Sequence, residues 1–301
     1  MRPLALPAIK VNLCPPHRVR GGKGKSLTDK SEWEGRVGQT WAAEWRRTDR
    51  SFTGLTDILL GQAATRPFRR ALDIGCGAGE LSLALARGHA GAEVVGIDVS
   101  ADLIGIARER SGYLGNVFFD HADAATWQLP GYAPELLISR HGVMFFDQPV
   151  AAFTHFHAIA APGARLVFSC FRDISENPWA ERVIALLPPD TAVPINPFAP
   201  GPFSMADSTQ VRGILAESGW SDIQLEPIDF AFVLGAGENP HDDSLSYMLN
   251  IGPAARAARM LGDEDRATFI ARLRRYLGNN IDGNLIALKA GAWVVTANKA
   301  L

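Results

Sequence analysis

Between residues 70 and 171 the chain alternates short, nearly continuous apolar runs with helix-length amphipathic segments. The runs at 70–75, 93–98, 116–121, 135–139 and 165–171 are rich in Val, Ile, Leu and Phe. Runs of that length and composition predict strands buried on both faces. The segments 80–87, 100–110 and 149–160 predict helices. Ser100 stands where the second would be capped, and the third stops ahead of Pro162-Gly163. Strands alternating with helices predict βαβ units, hence an α/β fold with a parallel sheet and right-handed crossovers.

Outside that stretch the pattern changes. Residues 31–66 predict a helical cover, with Trp33, Trp41, Trp45 and Phe52 set among Glu, Arg and Gln. After Phe171 the alternation breaks, and six prolines between 188 and 202 predict a restricted loop. A helix is expected at 209–218, a strand at 223–233, a mostly helical stretch at 241–279 and a closing strand at 292–297. The organisation expected is therefore a tail (1–30), a helical cover (31–66) and a core (67–172). A Pro-rich loop with helices (173–219), a core strand (220–234), a helical lid insertion (235–289) and a closing strand (290–301) follow.

Charge sharpens this division. The 301 residues carry a formal net charge of −2, but residues 1–30 are +6 and the remainder is −8. The basic segment lacks both helix and strand periods and reads as a solvated tail. An acidic body argues against a polyanionic partner such as nucleic acid. No apolar run reaches the roughly 18 residues a membrane helix needs, and the N-terminus lacks the continuous apolar region of a secretory signal. Cys14, Cys76 and Cys170 form neither a disulfide framework nor a CxxC spacing, which suits a reducing cytoplasm. Gly24-Lys25-Ser26 looks like the end of a phosphate loop, but Val19 stands where that loop needs glycine.

The chemistry concentrates in Ala71-Leu72-Asp73-Ile74-Gly75-Cys76-Gly77-Ala78-Gly79-Glu80. A strand turns through three alternate glycines into a helix, letting a ligand approach the backbone near a partly positive helix end. Asp98 ends the next strand, 23 residues after Gly75, where a carboxylate can accept from a ribose diol. A dinucleotide fingerprint would need glycine at position 80, which is Glu80. A nicotinamide-dependent oxidoreductase and a catalytically idle cofactor-binding protein are the rival readings.

The D-x-G-x-G-x-G pattern resembles the first motif of the class I S-adenosylmethionine-dependent methyltransferases. Gly96-Ile97-Asp98-Val99-Ser100 resembles their second motif, and His121-Ala122-Asp123-Ala124 their adenine-contacting turn. Leu136 to Arg140 is similar to their fourth strand, and Ala161-Pro162-Gly163 to the turn before their fifth. The resemblance implies a Rossmann-like seven-stranded, mostly parallel sheet with a reversed last strand, plus helical lid insertions. It implies S-adenosyl-L-methionine as cofactor, held by Asp73, Gly75, Cys76, Gly77, Gly79, Asp98, Val99, Asp123, Ala124, Ser139 and Arg140. Within that set Asp73 would order the loop or meet the cofactor's ammonium, Cys76 fill space, and Arg140 reach the cofactor carboxylate or face solvent.

Methyl transfer from a sulfonium mainly needs alignment and exclusion of water, so a conspicuous base is not required. His141, just past the fourth strand, is the candidate general base; ordering of its turn is the other reading. His155 and His157 point apart on one helix and cannot share a metal, and Asp242-Asp243 reads as acids at a helix start, so no metal is expected. The acceptor pocket is expected from Trp41, Trp45, Phe145, Phe146, Trp179, Phe198, Phe203, Tyr247 and Met248. Together these suggest a closed apolar cavity for a small organic acceptor. A homodimer is compatible with this reading; nucleic acid and membrane are not expected as partners.

Overall fold

The computed structural model describes residues 30–188, 191 and 199–301. Phe198, most of the Pro-rich loop and nearly all of the basic tail lie outside the described residues. Five strands come first: β1 (Arg70–Ile74), β2 (Glu93–Asp98), β3 (Val117–His121), β4 (Leu136–Arg140) and β5 (Arg165–Phe171). They are followed by β6 (Ser221–Ala236), β7 (Ile281–Asp282) and β8 (Leu285–Asn298). The sheet order is β3-β2-β1-β4-β5-β8-β6, with the two-residue β7 hung on β8. β1 to β5 pair in parallel, and β8 runs antiparallel to both β5 and β6. This is the expected doubly wound α/β sheet with its last strand reversed.

The helices are α1 (Lys30–Glu34), α2 (Arg36–Ala43), α3 (Trp45–Ala63), α4 (Glu80–Gly88), α5 (Ala101–Arg110) and α6 (Pro149–Ile159). α7 (Pro178–Ile184), α8 (Ser208–Glu217), α9 (Pro240–Asn250), α10 (Gly252–Met260) and α11 (Asp263–Gly278) complete them. Local signals account for several boundaries. Ser100 Oγ accepts from Leu103 N–H at the start of α5, and Pro occupies the first turn of α6, α7, α9 and α10, where its missing N–H costs nothing. β1, β2, β4 and β5 are buried nearly throughout, as continuous apolar runs require when helices cover both faces. None of the described helices is long and apolar enough to cross a membrane.

Two expected boundaries change. The segment 235–289, expected as a helical insertion, begins and ends in strand: β6 runs to Ala236, and β7 and β8 take up Ile281–Asp282 and everything from Leu285. The reason is an overlooked period of two: Ile286, Leu288 and Ala290 are buried with the more open Ala287 and Lys289 between them, as are Phe230, Phe232 and Leu234 opposite, with Ala231 and Val233 between. β6 and β8 stay paired past Phe171, the end of β5, from Ala292 to Leu285, and form a ribbon that overhangs the carboxyl edge of the sheet.

The N-terminal cover is tied to this ribbon. Ser51 Oγ donates to the Val233 carbonyl at 2.8 Å, and Arg50 Nη2 to the Leu234 carbonyl at 3.0 Å. Asp243 at the start of α9 pairs with Arg47 (2.9 Å) and Arg50 (2.8 Å), so α3, the ribbon and α9 form one wall. His155 meets the Trp127 carbonyl and His157 packs edge-on against Trp220.

Candidate active site

At the carboxyl edge, β1 leaves the sheet through Gly75, whose φ of +65° is left-handed. A Cβ there would stand 2.9 Å from Cα of Gly142, so two backbones meet where any side chain would separate them. The loop is then stapled from within. Cys76 N–H donates to the Ile97 carbonyl, and Gly77 N–H to Asp98 Oδ2, both at 2.9 Å. Asp98 Oδ1 accepts from Ser100 N–H at 2.9 Å. Asp98 thus braces both the glycine loop and the entrance to α5.

Asp73 sits beneath the loop. Its Oδ2 accepts from Ser82 N–H (3.1 Å) and Ser82 Oγ (2.6 Å), anchoring α4, while Oδ1 is buried with no partner. Burial pushes the Asp73 carboxyl up to about 6, against the Ser82 hydrogen bonds and the charge of Arg140. Burial also raises Asp98, opposed by the N–H groups of Ser100 and Gly77, and holds the Cys76 thiol protonated. Asp123 Oδ1 accepts from Ala125 N–H at 2.9 Å in the turn after β3.

One cavity of about 480 Å³ opens above these groups. Asp73, Gly75, Cys76, Gly77, Asp98, Val99, Asp123 and Ala124 line one end; Arg140 and His141 stand at its middle. Trp41, Trp45, Phe145, Phe146, Trp179 and Tyr247 line it as well. Four expected site residues do not. Ser139 is buried and donates to the Ile74 carbonyl at 2.6 Å, tying β4 to β1 rather than facing a ligand. At Gly79 a Cβ would meet the Phe119 ring at 2.8 Å, so that glycine serves helix-to-sheet contact. Phe203 stacks behind Trp179 at 6.0 Å, and Met248 is buried in the core.

The structure adds residues that no local motif marked. Phe52, Phe171 and Phe232 line the cavity beside Trp179, with Phe52–Phe232 and Trp179–Phe232 ring centroids 5.0 and 5.2 Å apart. Trp33 and Thr48 also face it; Trp33 packs on Trp41 and Phe145 at 5.3 and 5.0 Å, and its Nε1 is buried without a partner. Arg140 spends its donors on protein groups: Thr56 Oγ1 at 2.8 Å, the Glu80 carboxylate, and Asp49 at 3.6 Å. Asp49 is shared with Arg110 at 2.8 Å. Glu80, the residue standing where a dinucleotide fingerprint needs glycine, is therefore the partner of Arg140.

His141 adopts a left-handed φ of +64°, stacks on Phe171 at 4.1 Å and meets Phe52 edge-on at 5.2 Å. Burial, reinforced by Arg140, drives its imidazole down to about 3, so it is neutral at pH 7. Nδ1 lies 3.2 Å from Ser169 Oγ, and the Ser169 main chain opposes the drop by accepting from the ring. Nε2 is buried without a partner. Among the described residues no group of three or more His, Cys, Asp or Glu is placed to hold a metal.

Comparison with known proteins matches this geometry. The family described as "Methyltransferase domain" matches residues 71–163. Trans-aconitate 2-methyltransferase of Paracidovorax citrulli is 34% identical over 125 residues, 41% of this chain and 47% of that one. Phosphoethanolamine N-methyltransferase 1 of Arabidopsis thaliana is 31% identical over 117 residues, 38% of this chain and 24% of that one. The chain thus spans 24% and 47% of the length of these two relatives. Phosphoethanolamine N-methyltransferase 2 of Haemonchus contortus, solved with S-adenosyl-L-methionine, superposes with a TM-score of 0.54 at 15% identity. That superposition covers 92% of this chain and 61% of the other and shows a shared fold. Glycine loop, sheet order and family match converge on the same stretch: residues 71–163 match a methyltransferase domain.

Proposed function

We propose that this protein transfers a methyl group from S-adenosyl-L-methionine to a small organic acceptor held in the aromatic part of the same cavity. The observation that carries this reading is continuity. One cavity of about 480 Å³ joins the glycine loop, Asp98 and Asp123 to a wall of Phe52, Phe171, Trp179 and Phe232. Its volume lies within the roughly 300–1,000 Å³ usual for small-molecule sites.

The residues present fit the cofactor. Asp73 Oδ1, buried and unpartnered, suits an ammonium group; the Asp98 carboxylate, in the same lining, suits a ribose diol; Asp123 and Ala124, also in the lining, suit an adenine edge. Three carboxylates along one cavity favour a cation over an anion. When bound, S-adenosyl-L-methionine supplies a methyl group already activated on a sulfonium sulfur. The protein's own work is then positioning and drying. Trp33, Trp41 and Phe145 cover the site, and the aromatic wall excludes water from the acceptor. Alignment of this kind can supply about 7–11 kcal/mol of the barrier. His141, in the lining between the two parts of the cavity, is the candidate to take up a proton that an incoming nucleophile must release.

Calorimetry with S-adenosylhomocysteine and with NADH tests the reading. Binding of the thioether, with NADH weak or silent, is expected; tight NADH binding without thioether binding would overturn it. A methyl-release assay over a metabolite panel then separates an active enzyme from an idle binding protein.

A further inference from the structure

We infer that Arg110, which does not itself line the cavity, is a positioning residue for the cofactor end. Its guanidinium clamps the helical cover to the glycine loop and so governs how long the cofactor stays bound. This role rests on the methyltransferase reading above.

Arg110 is the last residue of α5, and three lining residues from two parts of the chain meet on its one side chain. Nη1 donates to the Ala78 carbonyl at 2.6 Å, Nη2 to Asp49 Oδ2 at 2.8 Å, and the guanidinium carbon lies 3.9 Å from the centroid of the Trp45 ring. Ala78 belongs to the glycine loop, Trp45 and Asp49 to the start of α3. Donating along the edge while a ring covers the face is open to the planar fork of arginine and closed to lysine, whose ammonium is a point charge. The Arg110 and Asp49 side chains are 19% and 16% exposed, so water screens them less than a surface pair.

On the loop side the contact completes a brace. The Ala78–Gly79 peptide accepts from Arg110 through its carbonyl and donates through Gly79 N–H to the Cys76 carbonyl at 2.9 Å, so it is held at both ends. On the cover side the contact falls where the apolar packing is small. Later in α3, Phe52, Leu55 and Leu59 belong to the main core. By contrast α2 and the start of α3 rest on a separate cluster, Ala42 with Ala78 and Leu103, against which Trp41, Trp45 and Ile106 pack. A Cβ at Gly38 would stand 2.3 Å from Ser100 Oγ, so α2 lies on the capped start of α5 while Arg110 holds α3 at its finish. Asp49 carries the effect into the cavity, since its Oδ1 faces Arg140 at 3.6 Å. Losing the clamp should therefore loosen Trp41 and Trp45 over a bound ligand and leave the core intact.

The test is S-adenosylhomocysteine binding to the full chain, by calorimetry for affinity and by stopped-flow tryptophan fluorescence for dissociation, with thermal melting as the control for folding. Arg110→Met, which keeps an apolar stem against Trp45, should bind about tenfold more weakly, the weight of one charge-assisted hydrogen bond, with most of the loss in faster dissociation. Arg110→Lys should melt close to wild type and still bind about as weakly as the Met variant. Asp49→Asn should weaken binding too, and the double variant with Arg110→Met no further than the weaker single, since both remove one clamp. A residue that only stabilised the fold would lower the melting temperature and leave the affinity of the folded protein unmoved. Binding within about threefold of wild type in folded Arg110→Met, full affinity in Arg110→Lys, or losses that multiply in the double variant would each overturn the role of Arg110 with the methyltransferase reading intact. If Arg110→Met does not fold, Arg110→Lys and Asp49→Asn decide by the same criteria. Failure of the wild type to bind S-adenosylhomocysteine would instead remove the methyltransferase reading itself.

Discussion

The two ends of the cavity are built on opposite principles. The cofactor end is assembled from about fifty consecutive residues, Asp73 to Ala125, whose loops are braced by their own N–H groups and carboxylates. The acceptor end draws Phe52 from α3, His141 and Phe145 from the turn after β4, Phe171 from β5, Trp179 from α7, Phe232 from β6 and Tyr247 from α9. The first end is polar and acidic; the second is aromatic and nearly neutral. The difference teaches that a shared catalytic frame can remain local while specificity is distributed over the tertiary structure. The ends touch where Gly75 and Gly142 meet backbone to backbone.

If the ends are separable, mutations should sort accordingly. The largest effect expected is from Phe52→Ala, since Phe52 is 6% exposed and contacts His141, Phe171, Phe230 and Phe232. It should cost about 3–5 kcal/mol of stability in a denaturant titration. The fraction that stays folded should bind S-adenosylhomocysteine within about threefold of the parent; a loss as deep as that of an Asp98 variant would show that the ends are one unit.

Asp98→Ala comes next, removing the brace of Gly77 and Ser100 together with the ribose acceptor. Calorimetry should show S-adenosylhomocysteine weakened by about 1.5–3 kcal/mol, the size of a charge-assisted hydrogen bond. Unchanged affinity would misplace the ribose site.

The two ends should also differ in pH dependence. Asp73 is raised from 3.8 to about 6, so between those values the folded protein keeps a proton that the unfolded chain has released. In the ligand-free protein this group's contribution to stability therefore falls as pH rises through that window. An ammonium needs the ionised form, so S-adenosylhomocysteine affinity should rise severalfold from pH 5 to 7 in wild type and stay flat in Asp73→Asn. His141 is lowered from 6.5 to about 3 and should add no limb near 6.5 to a turnover profile. A limb there that disappears in His141→Phe would contradict a neutral ring.

The smallest effect is expected from Tyr247→Phe. Its hydroxyl reaches Thr48 Oγ1 at a long 3.4 Å, and its ring stays buried in the variant. A stability change of about 0.5 kcal/mol is expected by thermal melting. A larger loss, with weaker acceptor binding, would make that hydroxyl part of the acceptor end.

Legibility followed the same division. The alternating apolar runs predicted β1 to β5 nearly residue by residue, because strands buried on both faces leave an unbroken hydrophobic signature. The glycine spacing and Asp98 located one end of the cavity, because a tight turn and the carboxylate it faces lie close along the chain. Trp41, Trp45, Phe145, Phe146, Trp179 and Tyr247 were legible as aromatic residues outside the predicted core strands, and they do line the cavity. Phe203 and Met248 carry the same composition signal, yet lie behind it. Ser139 occupies a motif position, but its hydroxyl is consumed by Ile74. The ribbon of β6 and β8 was written in a period of two that the surrounding helical segments obscured.

Sequence by itself determined the α/β sheet, its crossovers and the glycine loop at one end of the cavity, since each depends on periodicity or on residues near one another in the chain. Only the tertiary structure decided that Arg140 is held by Asp49 and Glu80, and that His141 is buried neutral, stacked on Phe171 and edge-on to Phe52. Charge and proton affinity depend on burial and on partners brought together across dozens of residues. No local pattern carries that information, and the chemistry of the acceptor end depends on it.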